Sequence, residues 1–138
     1  MAFSLSVITP EKTVFEGSAT SISVPSIDGE ITVLQDHAPL IALLASGEMT
    51  VSDQTSQRHM AVHGGFVQVS SNSVQILTDA AELEEDVDEA RAAQALEQAR
   101  KARDEAKDRR SQADASGAIE RAIARLNLAQ RRKLRHRA

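Results

Sequence analysis

Apolar and polar residues alternate through most of the stretch before Asp79, the period-2 pattern of strands with one buried face. The clearest runs are Phe3-Ser4-Leu5-Ser6-Val7, Thr13-Val14-Phe15-Glu16, Ser21-Ile22-Ser23-Val24 and Ile31-Thr32-Val33-Leu34. Met49-Thr50-Val51, Met60-Ala61-Val62, Phe66-Val67-Gln68-Val69 and Val74-Gln75-Ile76-Leu77 continue the series. Turn formers separate them: Pro10, Gly17, Pro25 with Asp28-Gly29, Gly47, Asp53, Gly64-Gly65 and Ser71-Asn72-Ser73. Leu40 to Ala45 is apolar throughout and reads as a short helix or as a strand buried on both faces, with strand favoured by the spacing of its neighbours. Eight or nine short strands with frequent turns predict an antiparallel sandwich or flattened barrel. A parallel sheet would need crossover helices, and no helical pattern precedes Asp86.

Past Asp79 the β-branched residues nearly vanish and Ala dominates. The acidic run from Glu82 to Asp88 suits a helix's first turn, where carboxylates face the positive end of the backbone dipole. Asp88 to Arg110 holds no Gly or Pro and is built of strong helix formers. Within it Ala92, Ala95, Leu96, Ala99, Ala102 and Ala106 form one narrow stripe. At 1.5 Å per residue this first helix would be roughly 35 Å long. Ser111 to Gly117 interrupts the pattern. A second helix is predicted from about Ala118 to Arg135, with Ile119, Ala122, Ile123, Leu126 and Ala129 or Gln130 on one face. Stripes this narrow bury little apolar area, a modest gain beside the entropy of ordering two helices, so the hairpin has the capacity to release. The expected fold class is α+β: an N-terminal antiparallel β-sandwich over residues 1–85, followed by a C-terminal two-helix antiparallel hairpin over residues 86–138.

Charge sharpens this division. The net charge of −4 splits into −9 up to Glu85, where Lys12 and Arg58 face eleven acids, and +5 beyond it. That asymmetry predicts two segments with different surfaces and different partners. Phe3, Phe15 and Phe66 are the only aromatics, which counts against stacking on single-stranded nucleic acid. There is no Cys, hence no disulfide framework or thiolate zinc site. No run reaches the roughly 18 apolar residues of a membrane helix, and the start lacks a signal-peptide pattern. A cytosolic protein whose membrane attachment comes through partners is expected. A catalytic role fails on inventory: no Cys or Tyr, no glycine-flanked serine elbow and no paired-carboxylate motif.

Four segments resemble one family in order along the chain. Gly29-Glu30-Ile31-Thr32-Val33-Leu34-Gln35-Asp36-His37-Ala38-Pro39-Leu40 is similar to the G-E-[LI]-x-[VI]-x-x-x-H-A-P-L segment of ATP synthase epsilon subunits. Leu5 to Glu11 with Val14-Phe15-Glu16-Gly17 resembles that family's first hairpin, and His63-Gly64-Gly65-Phe66-Val67-Gln68-Val69 its G-G-x-x-x-V strand. Val87-Asp88-Glu89-Ala90-Arg91-Ala92 is similar to its [IL]-D-x-x-R-A signature, with Val87 where Ile or Leu is usual. The resemblance implies a non-catalytic rotor-stalk subunit of a bacterial F-type ATP synthase, peripheral at the cytoplasmic face of the inner membrane. The sandwich would bind the gamma subunit and the polar loops of the c-ring. The helices would lie compact on the sandwich, or extend to the alpha/beta catalytic head and restrain hydrolysis. By position, Glu30 and His37 would approach the c-ring. Some members bind ATP as a regulatory ligand, which would place Asp88, Arg91, Ala92, Arg121 and Arg125 at a nucleotide.

Each of these residues also has a plainer reading. Glu30 is an exposed acid and His37 a loop histidine; Asp88 and Arg91 form an ordinary i,i+3 helix pair. His59 and His63 share a strand face without a third metal ligand. The basic end from Arg131 to Arg137 is a solvated helix terminus, a grip on an acidic surface or, in the rival reading, part of a free-standing adaptor that binds an acidic partner or nucleic acid.

Overall fold

The computed structural model describes residues 2–137, except the side chains of residues 136 and 137. The strands are β1 Phe3–Ile8, β2 Thr13–Ala19, β3 Ser21–Ser26, β4 Gly29–Leu34, β5 Leu40–Leu43, β6 Gly47–Ser52, β7 Gln57–His63, β8 Phe66–Ser70, β9 Ser73–Leu77 and β10 Ala80–Leu83. A 3-10 turn at Glu84–Asp86 leads to α1, Glu89–Glu105, and α2, Arg109–Arg137. The first sheet has the order β2-β1-β9-β8-β5 and the second β10-β7-β6-β3-β4. Their inner faces meet in an aliphatic core that includes Leu5, Val7, Ile22, Val33, Met49, Met60, Val67 and Ile76. The alternating residues thus do what their pattern requires, one face inward and one outward.

Four features depart from the sequence expectation. First, β1 and β9 pair in parallel, with Leu5 opposite Val74 and Val7 opposite Ile76. The crossover between them is the rest of the sandwich, so no helix is needed. Second, β5 is a strand but is not buried on both faces: it lies at a sheet edge, with Ile41 69% and Leu43 57% exposed. Third, Ala80 to Leu83 is a strand rather than the approach to a helix. It pairs with β7 and packs Ala81 and Leu83 against the core, so tertiary context outweighs the weak β-propensity of Ala and Glu.

Fourth, the helices break at Ala106-Lys107-Asp108 and not at Ser111 to Gly117. Ala106 is extended, and the Asp108 carboxylate accepts from the Ser111 backbone N–H at 2.7 Å, capping α2. That hydrogen bond holds the Asp108 carboxyl below its usual pKa. Ser111 to Gly117 then forms the first turns of a helix of 29 residues, while α1 has only 17 and is about 25 Å long. Lys133 reaches Glu89 at 2.6 Å, so α2 runs back antiparallel along α1. Ala92, Ala99, Ala115, Ile119 and Ala122 are among the buried helix residues.

Gly65, between β7 and β8, needs its lack of a side chain. Its φ is +91°, and a Cβ there would lie 1.9 Å from the Leu77 carbonyl oxygen.

Candidate functional site

The hairpin lies across the outer face of the second sheet. On that face Glu48 of β6, Ala61 of β7 and Glu82 of β10 stand side by side in one cross-strand row. The small Ala61 lets a helix approach between two carboxylates. Leu128 fills that approach, fully buried against Ala61 and Ala124 with Val87 alongside. Gly117, Arg121, Ala124, Leu128, Arg131 and Arg135 recur at i+3 or i+4 and make the stripe of α2 that meets the sandwich. The face predicted for α2 (Ile119, Ala122, Ile123, Leu126 and Ala129 or Gln130) does not contain this stripe, and its Ile123 is 39% exposed. The spacing of Gly117, Ala124 and Leu128 was the signal of the stripe, obscured by the arginines interleaved with them.

Ion pairs flank Leu128. Arg125 Nε donates to Glu82 at 2.5 Å, with a second contact at 3.4 Å. On the other side Arg131 reaches Glu48, and Arg135 reaches both Glu48, at 3.7 Å, and Glu84. Arg132 lies 3.8 Å from Glu84. The Glu48 side chain is only 9% exposed and is also held by His59 Nδ1 at 2.9 Å. His63, four residues along β7, bonds instead to Ser46, so the two histidines take separate partners. Burial lowers the His63 pKa, and the nearby Arg121 guanidinium lowers it further. Glu120 and Asp79 oppose this without cancelling it.

Arg121 and Arg125 border a cavity of about 310 Å³ together with Lys12 and Glu82. Asp88 and Arg91 sit at the start of α1, while Arg121 and Arg125 lie midway along α2. Asp88 caps α1 by accepting from the Arg91 N–H at 3.1 Å, its carboxylate 3.9 Å from Arg91 Nε. Ala92 is fully buried. Measured along α2 from Lys133, which marks the level of Glu89, Arg125 lies roughly 12 Å away and Arg121 roughly 18 Å. The docked hairpin therefore holds these five residues as two groups, and its Asp-x-x-Arg-Ala run acts locally as a helix cap with a tight packing position.

Glu30 is exposed on the edge strand β4, opposite Pro25 and beside the Asp28-Gly29 turn. His37 lies past the other end of that strand, its backbone N–H on the Leu34 carbonyl and its ring on the Ala38 carbonyl at 2.7 Å. Glu30 and Leu34 alone are four strand steps apart, roughly 13 Å, so the two residues do not form one contact point.

The first sheet carries a different feature on its outer face. Leu43, Phe66, Leu77 and Ile8 stand in register on β5, β8, β9 and β1, an apolar row four strands wide. Ile41 extends it along β5, while Ser4, Ser6, Gln68 and Gln75 make the rest of that face polar.

A two-sheet β-sandwich carrying a docked helical pair is thus the class of this chain. Residues 2–84 match the family model described as ATP synthase, Delta/Epsilon chain, beta-sandwich domain. The ATP synthase epsilon chain of Symbiobacterium thermophilum is 40% identical over 130 residues, covering 91% of each chain. The chain belongs to the ATP synthase epsilon chain family. Among solved structures, a chain of the Euglena gracilis mitochondrial ATP synthase (OSCP/F1/c-ring, rotational state 1) superposes with a TM-score of 0.76 at 24% identity, over 89% of this chain and 78% of that one. A chain of the Tetrahymena thermophila mitochondrial ATP synthase central stalk and c-ring does so with a TM-score of 0.67 at 13% identity, over 91% and 95%. Both likenesses concern the fold.

Proposed function

We propose that the chain is a non-catalytic central-stalk subunit of a bacterial F-type ATP synthase, with residues 1–85 coupling the gamma subunit to the c-ring and residues 86–138 acting as a brake. The observation that carries this is the apolar row Leu43-Phe66-Leu77-Ile8 on an otherwise polar sheet face, in a chain that aligns with epsilon chains over nearly its whole length. A sheet face of this kind is a protein-binding surface. Gamma is the partner proposed for it, and the turn beside Glu30 the end that meets the polar loops of the c-ring. His37, beyond the far end of β4, stays the second proposed c-ring contact. Torque transfer needs a rigid body, which the interlocked core of the two sheets supplies. No helix among the described residues is long and apolar enough to cross a membrane. Attachment to the cytoplasmic face of the inner membrane is accordingly proposed to run through the complex.

The docked hairpin is the released position of the brake, and extension toward the alpha/beta head its engaged one. A regulatory nucleotide at Asp88, Arg91, Ala92, Arg121 and Arg125 would have to draw two separated groups together. The test is steady-state ATP hydrolysis by a gamma-containing catalytic head lacking this subunit, titrated with the full chain. One-to-one binding with falling hydrolysis is expected, as is loss of binding in Phe66→Glu. Deleting the residues after Asp86 should keep binding and restore hydrolysis. No binding by the folded chain at micromolar concentration would overturn the assignment, and unchanged hydrolysis on deletion would remove the brake.

A further inference from the structure

We infer that the tip of the docked hairpin is a contact for an anionic membrane surface, made by six exposed bases that find no ion pair among the described residues. Arg100, Lys101 and Arg103 lie in the last turns of α1, Lys107 in the link, and Arg109 and Arg110 at the start of α2. Over residues 100–110 only Asp104, Glu105 and Asp108 oppose them, which leaves a net of +3. The bases further along α2 differ: Arg125, Arg131, Arg132, Lys133 and Arg135 each meet a carboxylate of the same chain. The basic charge of the hairpin is thus divided between a length satisfied from within and a tip left open.

The strand register fixes where the tip lies. Gly117 stands over His63, a Cβ there being 3.8 Å from His63 Nε2, while Arg135 reaches Glu84 just past Leu83, the partner of Met60. α2 therefore follows β7 from its His63 end toward its Gln57 end. Gly47 stands opposite Val62, Ser23 opposite Thr50 and Ser26 opposite Gly29, so the Asp28-Gly29 turn belongs to the same end of the sandwich as His63. Arg109 precedes Gly117 by eight residues and lies about 12 Å beyond it along the helix. The open bases accordingly overhang the end that carries Glu30. The inference rests on the proposed rotor reading at one step: that end is the one turned to the c-ring, and so to the membrane around it. Lipid is favoured over a protein because only Ala102 and Ala106 interleave with the charges. A specific protein contact needs a large anchoring side chain, whereas a headgroup layer attracts bases by their summed charge.

The test sediments the full chain with vesicles of phosphatidylcholine containing about one third phosphatidylglycerol. Binding should weaken about tenfold as NaCl rises from about 0.05 M to about 0.2 M, and vanish on pure phosphatidylcholine. Lys107→Gln with Arg109→Gln and Arg110→Gln should lower it about tenfold, with the helical far-ultraviolet signal kept because these side chains are exposed and unpaired. Arg131→Gln with Arg132→Gln and Arg135→Gln removes as much charge from the paired length and should lower it less than about threefold. The chain has no Cys, so single labels are unique. An environment-sensitive fluorophore on Ala113→Cys, one turn from Arg109, should shift on the anionic vesicles, and one on Gln54→Cys, in the loop at the opposite end of the sandwich, should not. Equal losses in the two triple variants, or equal shifts at the two labels, would overturn the inference, since either means diffuse charge instead of a placed tip. A tip variant that keeps its vesicle affinity but loses binding to detergent-solubilised c-ring would overturn it too, by making the partner a protein. The vesicle assay contains neither gamma nor c-ring, so its failure leaves the rotor assignment standing, and failure to bind the gamma-containing head leaves the vesicle result standing.

Discussion

Leu128→Ala isolates the apolar part of the hairpin's attachment. Leu128 has no exposed surface and is the largest side chain in the cluster it forms with Ala61 and Ala124 beside Val87. Truncation removes three carbons from a buried site, about 2.4 kcal/mol at 0.8 kcal/mol per methylene. A residual cavity adds to this, since Ala61 and Ala124 have no side chains able to move into the space; Leu→Ala costs of about 2.5–5 kcal/mol are usual at such sites. At about 1.4 kcal/mol per decade, the ratio of docked to undocked hairpin should fall by roughly 60-fold or more. The readout is urea unfolding followed by the far-ultraviolet helical signal, with the sandwich followed by amide exchange of its core strands. Leu128 stands outside the sandwich core, so those strands should keep their protection. Ile123→Ala is the control: the same helix, but a side chain 39% exposed, with an expected cost of about 1 kcal/mol. If Leu128→Ala costs no more than Ile123→Ala, or if core-strand protection falls with the helical signal, the hairpin is not anchored as described.

Two further outcomes follow from the same interface. Gly117 lies within α2 with helical backbone, and a Cβ there would sit an ordinary 3.8 Å from His63 Nε2. Gly117→Ala should therefore stabilise the helical transition by about 1 kcal/mol in urea unfolding, and a loss of stability would show that the contact with His63 is tighter than this. His63 has a folded-state pKa below the usual 6.5, first through burial and then through Arg121, with Glu120 and Asp79 opposing. The folded state then binds fewer protons than the unfolded chain between the two values, so this contribution is complete above about pH 6.5 and is lost as pH falls through the lowered value. His63→Asn should flatten the dependence of the urea midpoint between about pH 5 and about pH 7, and an unchanged slope would remove His63 as its source.

The sandwich was legible because its signal is local: Leu5 and Val7, Ile22 and Val24, and Val74 and Ile76 alternate with polar neighbours inside short windows. What escaped reading was set by partners distant in sequence. Ala80 to Leu83 lacks β-branched residues and becomes a strand only because β7 offers a free edge and the core a place for Leu83. The helix break moved because one carboxylate, Asp108, caps more decisively than a Ser-Gly-containing stretch interrupts. Leu128 is not marked by the local pattern, since its role depends on Ala61, which nothing in the sequence around it identifies as the middle of a docking row. The charge division was visible from the start and predicted separate partners for the two halves. Four arginines of the basic half in fact meet carboxylates of the acidic half or of the turn that follows it. Glu30, His37, Asp88 and Arg91 are marked by family likeness alone, because single polar side chains at the surface leave no trace of burial or periodicity from which a role could be inferred.

The parallel pairing of β1 with β9 bears on how the chain matures during its synthesis. Each residue of β1 finds its β9 neighbour about 70 positions later, so at translation rates of roughly 5–20 residues per second the first hairpin waits several seconds with one edge open. Closure of so long a loop is entropically costly and slows folding relative to a sheet made of sequential hairpins. Until it happens, the open edge of β1 offers unpaired backbone groups to other nascent chains. The two halves of the first sheet are therefore joined by the last of its strands to be made, only a few residues before β10 and the helical segment begin to emerge.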